Sequence, residues 1–362
     1  MRAVLLHLIT TAEWRSVLAV GAVTPLPEVG FVHLSAVDQV ALPANRLFAG
    51  RNDVLLLVLD PDRLGVEVRW EPGVPGDPES MRFPHAYGPV PVSAVVAVEP
   101  YRPGADGFAE PRLPEFDTAT RALRLEMSVT RRMATTEVPV TGGVAVRTPA
   151  VAGSRQHNQL LIDGPTDAAT IVAEADRVLA GYDRRMATLL GAGQAGTAKA
   201  LADLGWEVDE VAVMAAPAGG TRDARVELVD VDALRPSWAE NRRRSVPGIR
   251  DAVITDLAER YVLQQQVVDN RYLAVRDGDR VLASALLSVD GATAWLNDVM
   301  TDPAHRRRGH GEALLDTALA LADEAGCDLV GLGAVADDWP LTWYARRGFV
   351  DVERCWCATS VR

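Results

Sequence analysis

The chain has 362 residues, with 37 lysines and arginines against 49 aspartates and glutamates, a formal net charge of -12, and 48% hydrophobic residues. This length exceeds that of a single hydrophobic core, and the composition is that of a folded protein rather than a disordered one. The acidic balance excludes a general nucleic-acid binder, because lysine and arginine supply most phosphate affinity. Apolar runs are too short for a membrane span and the first residues carry no signal-peptide pattern, so we expect a cytoplasmic protein.

Residues 1–115 alternate short apolar runs with glycine, proline and aspartate, which predicts a small α+β domain. We expect strands at 4–8, 30–34, 54–59, 66–70 and 92–98, and helices at 11–22 and 38–48. The proline- and glycine-rich segment 100–107 predicts a linker or closing loop.

Residues 116–222 form a second composition zone with predicted strands at 138–146 and 206–214, a helix from near Thr166, and a helix at 195–204. The third zone, 223–362, begins with a strand at 225–231 and a helical pair. It continues with strands at 271–275, 280–287, 292–300, 329–333 and 349–358, and helices at 309–325 and 341–347. Both zones contain strand, helix, strand successions, which indicates a diverged duplication.

A basic, glycine-containing turn joins the strand ending near Met300 to the helix that follows. Its residues are Arg306, Arg307, Arg308, Gly309, His310 and Gly311. Glycine lets a ligand approach the backbone, and free N–H groups at a helix start favour an anion such as pyrophosphate. The alternative interpretation is a basic surface turn ended by glycine.

A second motif, Trp343 to Phe349, follows some thirty residues later and reads W-Y-A-R-R-G-F. With the strand 295–300 and the glycine turn, it resembles the GNAT superfamily of acetyl-CoA-dependent N-acyltransferases over nearly all of the third zone. The resemblance implies a mixed sheet flanked by helices. It also implies that Tyr344 protonates the departing CoA thiolate, although Trp343 replaces the usual small aliphatic residue. The cofactor-binding residues implied by the resemblance are Val299, Met300, Arg306, Arg307, Arg308, Gly309, His310, Gly311 and Glu312, with the main chain at Asp298 contributing.

In this reaction an amine attacks the thioester directly, so no nucleophilic cysteine is needed. Asp298 is the favoured general base, ahead of Asp337 and Asp338, with a solvent-facing carboxylate as the alternative. We interpret His305 and His310 as exposed loop residues. Cys327, Cys355 and Cys357 are interpreted as buried small side chains rather than as metal or redox groups.

The middle zone has no matching basic turn, and its nearest glycine cluster is Gly191 to Gly196. It therefore resembles a degenerate GNAT half, which would cover the active half and help to shape the acceptor cleft. A distinct helical linker domain is the alternative interpretation.

The first zone contains His7, His33 and His85 in unusual settings, and a strand would place His33 and Ser35 on one face. With Trp14, Glu71 and the run F-P-H-A-Y-G-P, it resembles the bacterial domain of unknown function 952. That family is similar in fold to ADP-ribosyltransferases, which implies a nucleotide cleft lined by His7, His33, Ser35, Glu71, His85 and Tyr87. Buried structural histidines are the alternative. The spacing disfavours a metal site, and none is predicted.

The prediction is therefore a three-domain α+β protein, with an ADP-ribosyltransferase-like domain at 1–115, a degenerate GNAT-like half at 116–222 and a GNAT domain at 223–362. Its predicted activity is acetyl-CoA-dependent acetylation of a small-molecule or peptide amine. The alternatives are a non-catalytic acyl-CoA or nucleotide sensor, and an N-terminal domain that acts on NAD or an ADP-ribosylated group. No membrane partner is expected, and the sequence does not reveal the acceptor or the oligomeric state.

Overall fold

The computed structural model describes residues 4–73 and 81–361. Its first part contains β1 (Leu5–Thr10), α1 (Thr11–Val20), β2 (Ala22–Val23), β3 (Val32–His33), α2 (Ala41–Leu47), β4 (Val54–Leu59), β5 (Val68–Pro72), β6 (Arg82–Ala86), β7 (Val90–Pro91) and β8 (Val95–Pro100). Strand β4 is the centre of a β1–β4–β8 sheet, and all of its side chains are buried because its sequence VLLLVL has no polar position. A second sheet has the order β3–β6–β5.

The rest of the chain builds one large mixed sheet with helices on both faces. Its first elements are α3 (Thr118–Met133), β9 (Thr136–Val140), β10 (Gly143–Arg147), β11 (Asn158–Ile162), α4 (Ala168–Val178), β12 (Arg184–Leu190), α5 (Ala195–Asp203) and β13 (Glu207–Pro217). There follow β14 (Val226–Val229), α6 (Val231–Ser245), α7 (Asp251–Gln264), β15 (Asp269–Asp277), β16 (Arg280–Asp290), β17 (Thr293–Thr301), α8 (His310–Glu324), β18 (Leu329–Val335), α9 (Trp339–Ala345) and β19 (Val350–Val361). The predicted fold class, α+β with a mixed sheet flanked by helices, is confirmed.

Within the described residues this sheet has eleven strands in the order β14–β15–β16–β17–β18–β13–β19–β12–β11–β10–β9. The order is nearly symmetric about β13 and β19. Each half contains one parallel pair, which is β11–β12 in the first half and β17–β18 in the second. The two halves also repeat one succession in sequence: β9, β10, β11, α4, β12, α5, β13, and then β15, β16, β17, α8, β18, α9, β19.

The last strands of the two halves are exchanged. Strand β13 closes the first succession in sequence but pairs with β18 of the second, while β19 pairs with β12 of the first. The two exchanged strands also pair with each other. A boundary near residue 222 therefore divides the sequence but not the sheet.

Helix α3 was not predicted from the sequence, and its composition explains why. It buries an apolar stripe of Ala122, Leu125 and Val129, but it also buries Arg121 and Arg132, which conceal the pattern. The arginines are tolerated because Arg121 pairs with Asp328, and Arg132 pairs with the buried Asp290. The helix thereby ties the start of the second zone to the third.

Two other predictions are wrong in detail. The expected strand at 138–146 is a hairpin of β9 and β10, because Gly142 adopts φ +77° at the turn between them. The expected strand at 30–34 reduces to Val32–His33. Ser35 lies beyond its end and pairs through its backbone with Leu6, so the proposed common strand face of His33 and Ser35 is not formed.

The N-terminal domain docks on the turn between β16 and β17. Trp14 Nε1 donates to Asp290 Oδ1 over 2.8 Å, and Ala292 N donates to Val95 O over 2.8 Å. At Gly291, with φ +75°, a Cβ atom would lie 2.4 Å from Val95 O, so only glycine allows this close approach.

Within the described residues, no helix has the length and apolarity to span a bilayer.

Candidate active site

The central feature of the third zone is a separation of its two parallel strands. The pairing between β17 and β18 runs from Thr293 opposite Leu329 to Trp295 opposite Gly331. Just beyond, Asp298 adopts φ +51°, and Asp298 and Val299 face the single residue Ala285 of β16. This bulge bends β17, and left-handed backbone at a non-glycine residue is typical of a functional site.

Residues along β17 alternate between the two faces of the sheet. Leu296 packs with Leu314 of α8, whereas Trp295 packs with Ala122 and Leu125 of α3. Met300 joins the cluster that includes Trp238 of α6 and Tyr261 of α7. The α8 face carries the glycine turn, and the opposite face carries the side chains of α3, α6 and α7.

The basic turn is built from left-handed residues at the start of α8. Arg307 has φ +62° and Gly309 has φ +76°, and the helix begins at His310 with free N–H groups in its first turn. Arg225 also reaches this turn, where its Nη1 donates to Arg308 O over 3.4 Å, and its charge is paired with Asp223 at 2.6 Å. Amides and guanidinium groups in such an arrangement can hold an anion.

Two residues of the predicted binding turn also hold α9 in place. A Cβ atom on Gly311 would lie 3.3 Å from the Trp343 ring, so glycine lets the indole pack closely. Glu312 forms an ion pair with Arg347, whose guanidinium stacks over the Trp343 ring at 4.2 Å. The larger side chain at Trp343 is thus accommodated by the glycine turn.

His305 and His310 are half-buried, not exposed as predicted. His305 Nδ1 lies 3.6 Å from Asp302 Oδ2. Both ring nitrogens of His310 are without a partner among the described residues. Burial, with Arg225 and Arg308 nearby, lowers the pKa of His310.

Tyr344 of α9 is 9% exposed and packs against the rings of Trp343 and Phe349, at 4.8 and 5.7 Å between centroids. Burial raises its pKa to about 12. The phenol therefore keeps its proton at neutral pH, which a proton donor requires.

Asp298 is held between two cations. Arg242 of α6 and Arg260 of α7 each place Nη2 at 3.4 Å from its carboxylate oxygens. Arg260 also donates to Tyr261 Oη over 2.5 Å and to Gln156 Oε1 over 2.8 Å. The other two base candidates lie in the turn before α9, where Asp338 caps the helix by accepting from Trp339 N over 2.7 Å.

Glu126 of α3 is a further carboxyl group beside Asp298, and the sequence analysis missed it because it missed the helix. The side-chain amide of Asn297 lies near this carboxyl group and favours its ionised form. Burial, reinforced by the charge of Asp298 and opposed by Arg260, raises the pKa of Glu126 to about 7. A carboxyl group that titrates near neutrality can accept a proton from an attacking amine.

The corresponding turn of the first half is closed to an anion. It lies between β11 and α4, at 163–167, where the carboxylate of Asp167 accepts from Thr170 N over 2.9 Å. The cluster Gly191 to Gly196, the nearest glycine cluster in the sequence of this zone, lies instead in the turn between β12 and α5.

A second cluster of candidate residues lies in the N-terminal domain. His33 and His85 face each other across β3 and β6, with ring centroids 5.1 Å apart, and His7 Nδ1 lies 2.8 Å from His33 O. Tyr87 Oη donates to Glu71 over 2.8 Å, and His85 Nδ1 lies 3.3 Å from the same carboxylate. The structure thus brings together five of the six predicted cleft residues.

Stacking and burial define the character of this cluster. Phe31 stacks on His85 at 4.0 Å, and the buried Nε2 of His85 has no partner within residues 4–73 and 81–361. Burial lowers the pKa values of His7 and His33, so both rings are neutral near pH 7. In the same ranges, no group of three or more histidine, cysteine or acidic side chains could hold a metal ion.

The cysteines do not form reactive thiolates. All three are free, and burial raises the pKa of Cys327 to about 12 and that of Cys357 to about 11. Cys355 is buried as well, and its pKa is also raised.

Residues 238–349 match the sequence model of the family described as Acetyltransferase (GNAT) family, so the third zone is an acetyltransferase domain. Residues 8–98 match the family described as Protein of unknown function (DUF952). The chain therefore joins a DUF952 domain to a GNAT acetyltransferase domain, which confirms both resemblances.

Several solved structures are similar to parts of the chain. A functionally unknown conserved protein from Staphylococcus epidermidis is 11% identical over 63% of this chain and 94% of its own, with a TM-score of 0.51. Protein CC0527 from Caulobacter crescentus is 31% identical over 29% of this chain and 91% of its own, with a TM-score of 0.26. A GCN5-related N-acetyltransferase from Kribbella flavida is 16% identical over 67% of this chain and 95% of its own, with a TM-score of 0.46. No curated protein matches the chain.

Proposed function

We propose that this acetyltransferase takes its acyl group from acetyl-CoA and transfers it directly to the nitrogen of an amine. The observation that carries the proposal is the opening between β17 and β18, with the left-handed turn 306–311 on the α8 side and Glu126 and Asp298 on the opposite side. Acetyl-CoA, when bound, supplies the thioester carbonyl that the amine attacks.

Main-chain groups would hold the coenzyme. The free backbone of Val299 and Met300, beyond the last pairing with β18, suits the pantetheine arm and polarisation of the carbonyl. The amides of 306–312 suit the pyrophosphate, with Arg225 as an additional cation.

Two proton transfers complete the reaction. The amine nitrogen forms a bond to the carbonyl carbon, and the bond from that carbon to sulfur breaks. Glu126 or Asp298 takes the proton released by the nitrogen, and Tyr344 donates a proton to the departing thiolate. Of the two bases, Glu126 is favoured, because two guanidinium groups already engage Asp298.

The first half of the large sheet would act as support. We propose that 116–222 is a degenerate GNAT half, because its strands repeat the order of the second half while Asp167 fills the helix start that would bind an anion. It contributes β13 to the sheet of the second half, and it begins with α3. The chain would then bind one coenzyme.

A second candidate function concerns residues 1–115, for which the unpartnered Nε2 of the buried His85 favours a ligand cleft. The proposed ligands are NAD or an ADP-ribosylated group. The test is NAD consumption by the whole chain and by the His7→Ala variant. Consumption that the substitution abolishes supports this function, and no consumption by the unaltered chain rejects it.

Calorimetric titration with acetyl-CoA tests the main proposal. We expect binding by the unaltered chain and its loss in Gly309→Val, because a β-branched residue is strained at φ +76° in the turn. The matched control is Gly193→Val, since Gly193 has open space around it and no positive φ. Absence of binding to the unaltered chain would reject the acetyltransferase proposal, and thermal unfolding of each variant checks that it is folded.

A further inference from the structure

A pocket opens beside Asp298, between α6, α7 and the end of β17. It is lined by Trp238, Arg242, Leu257, Tyr261, Asp298 and Met300 among others, and it is partly open to solvent. It lies on the sheet face opposite α8, so an amine could reach the bend of β17 without crossing the coenzyme turn.

Most residues of the pocket wall are apolar, but two buried hydrogen-bond donors in or beside the pocket lack acceptors among the described residues. Trp238 is 6% exposed, and its Nε1 has no partner within the described ranges. The buried Nε of Arg260, next to the pocket, is likewise unpartnered. Buried donors without acceptors are costly, which indicates that a ligand supplies oxygen atoms.

The charges also favour an anionic group. Arg242 and Arg260 share the carboxylate of Asp298 over distances of 3.4 Å, and the neighbouring Glu126, whose pKa is raised to about 7, is neutral while it holds its proton; an excess of positive charge then remains. Arg235, which also lines the pocket, is already paired with Asp232 and Glu259 at 2.7 Å. Arg242 is one-third exposed and is therefore the cation available to a ligand.

We propose that the acceptor is an amine that also carries a carboxylate, with an apolar α-amino acid as the substrate class. Arg242 binds the carboxylate in a charge-assisted hydrogen bond, and the apolar walls at Trp238, Leu257 and Tyr261 receive the side chain. The amino group then faces the bend of β17. This inference rests on the proposed acetyltransferase function and adds the chemistry of its acceptor.

Polycationic acceptors fit the same pocket poorly. A polyamine or an aminoglycoside would bring several positive charges to Arg242 and Arg260, beside which lie the carboxyl groups of Asp298 and Glu126. Without a carboxylate, a simple apolar amine fills the walls but leaves Arg242 with Asp298 as its shared partner.

Matched pairs of acceptors test the inference with the full chain. L-Tryptophan is compared with tryptamine, and L-leucine with 3-methylbutylamine, by release of free CoA from acetyl-CoA. We expect kcat/KM to be at least about 10-fold higher for each amino acid, the effect of one charge-assisted hydrogen bond. Equal or higher values for the decarboxylated amines, or for spermidine, would overturn the inference.

Substitution of one cation provides the second arm. In Arg242→Gln the preference for the carboxylate should fall at least fivefold. The matched variant Arg235→Gln should keep the preference, because the charge of Arg235 is already paired with Asp232 and Glu259. An unchanged preference in Arg242→Gln contradicts the assignment. If that variant unfolds, the inference is judged from Arg242→Lys and from the ratio of kcat/KM for amino acid and decarboxylated amine in the unaltered chain. If acetyl-CoA binds but none of the amino acids reacts, the inference fails; if acetyl-CoA does not bind, the proposed function itself fails.

Discussion

Trp295 Nε1 donates to Asn297 Oδ1 over 3.1 Å, at the point where β17 leaves β18. An indole nitrogen can only donate, so this bond leaves the amide hydrogens of Asn297 free to donate to Glu126. The amide of Asn297 therefore favours the ionised form of Glu126 beside the bend at Asp298.

The variant Glu126→Gln tests whether Glu126 is the general base. Because the pKa of Glu126 is raised to about 7, kcat/KM should rise with pH through about 7 as the carboxyl group loses its proton. In Glu126→Gln we expect a fall of about 100- to 10 000-fold and loss of this inflection, with acetyl-CoA affinity kept. Asp298→Asn is the comparison variant, and an unchanged pH profile in Glu126→Gln would assign the base elsewhere.

Tyr344→Phe separates an enzyme from a non-catalytic sensor. The substitution preserves the packing against Phe349 and removes the phenolic proton. We expect turnover to fall on the order of 100-fold or more while calorimetry gives the same acetyl-CoA affinity. Since the pKa of Tyr344 is about 12, no decline attributable to this group should appear below pH 10. Undiminished turnover would exclude Tyr344 as the proton donor.

Asp167→Ala tests whether the first half lacks a coenzyme site. Loss of this helix cap should lower the free energy of unfolding by about 1 kcal/mol without changing acetyl-CoA affinity or the expected stoichiometry of one. Asp117→Ala is the matched control, because Asp117 caps α3 by accepting from Thr120 N over 2.8 Å. Binding of two coenzymes per chain would contradict the assignment.

His157 makes stability dependent on pH. It is buried, Ser154 Oγ lies 2.8 Å from its Nδ1, and burial lowers its pKa to about 3. The unfolded chain binds this proton at about pH 6.5, so the contribution is fully present above that pH and is lost as the pH falls toward 3. Urea unfolding at pH 7, 6, 5 and 4 should show a shallower decline in His157→Gln than in the unaltered chain; parallel declines would refute this origin.

The sequence predicts most accurately those elements in which the apolar positions follow a regular pattern. Strand β4 was predicted at its observed bounds because all its positions are apolar, and α8 was predicted to within one residue because its apolar stripe is regular. Helix α3 was missed because it buries arginines whose partners lie far away in sequence. Arginines in a sequence predict an exposed, polar segment, and the sequence pattern does not reveal the ion pairs that bury them on folding.

The same limit applies to the candidate site. The turn 306–311 and Tyr344 lie in contiguous motifs, so the glycine pattern and the resemblance to a known family could identify them in the sequence. Glu126, Arg242 and Arg225 come from separate elements and meet only through the fold. No local spacing distinguishes them from surface charges.

The exchange of β13 and β19 has a consequence for the order in which the chain can assemble during synthesis. The edge of β12 finds its partner in residues 355–361, so the first half of the large sheet keeps an open, apolar edge while more than 150 further residues are translated. Neither half can close alone, and the sheet matures late and as one cooperative unit. A ribosome that stalls before β19 would leave a nascent chain prone to pair with its neighbours, which gives chaperone capture during translation a physical cause in this fold.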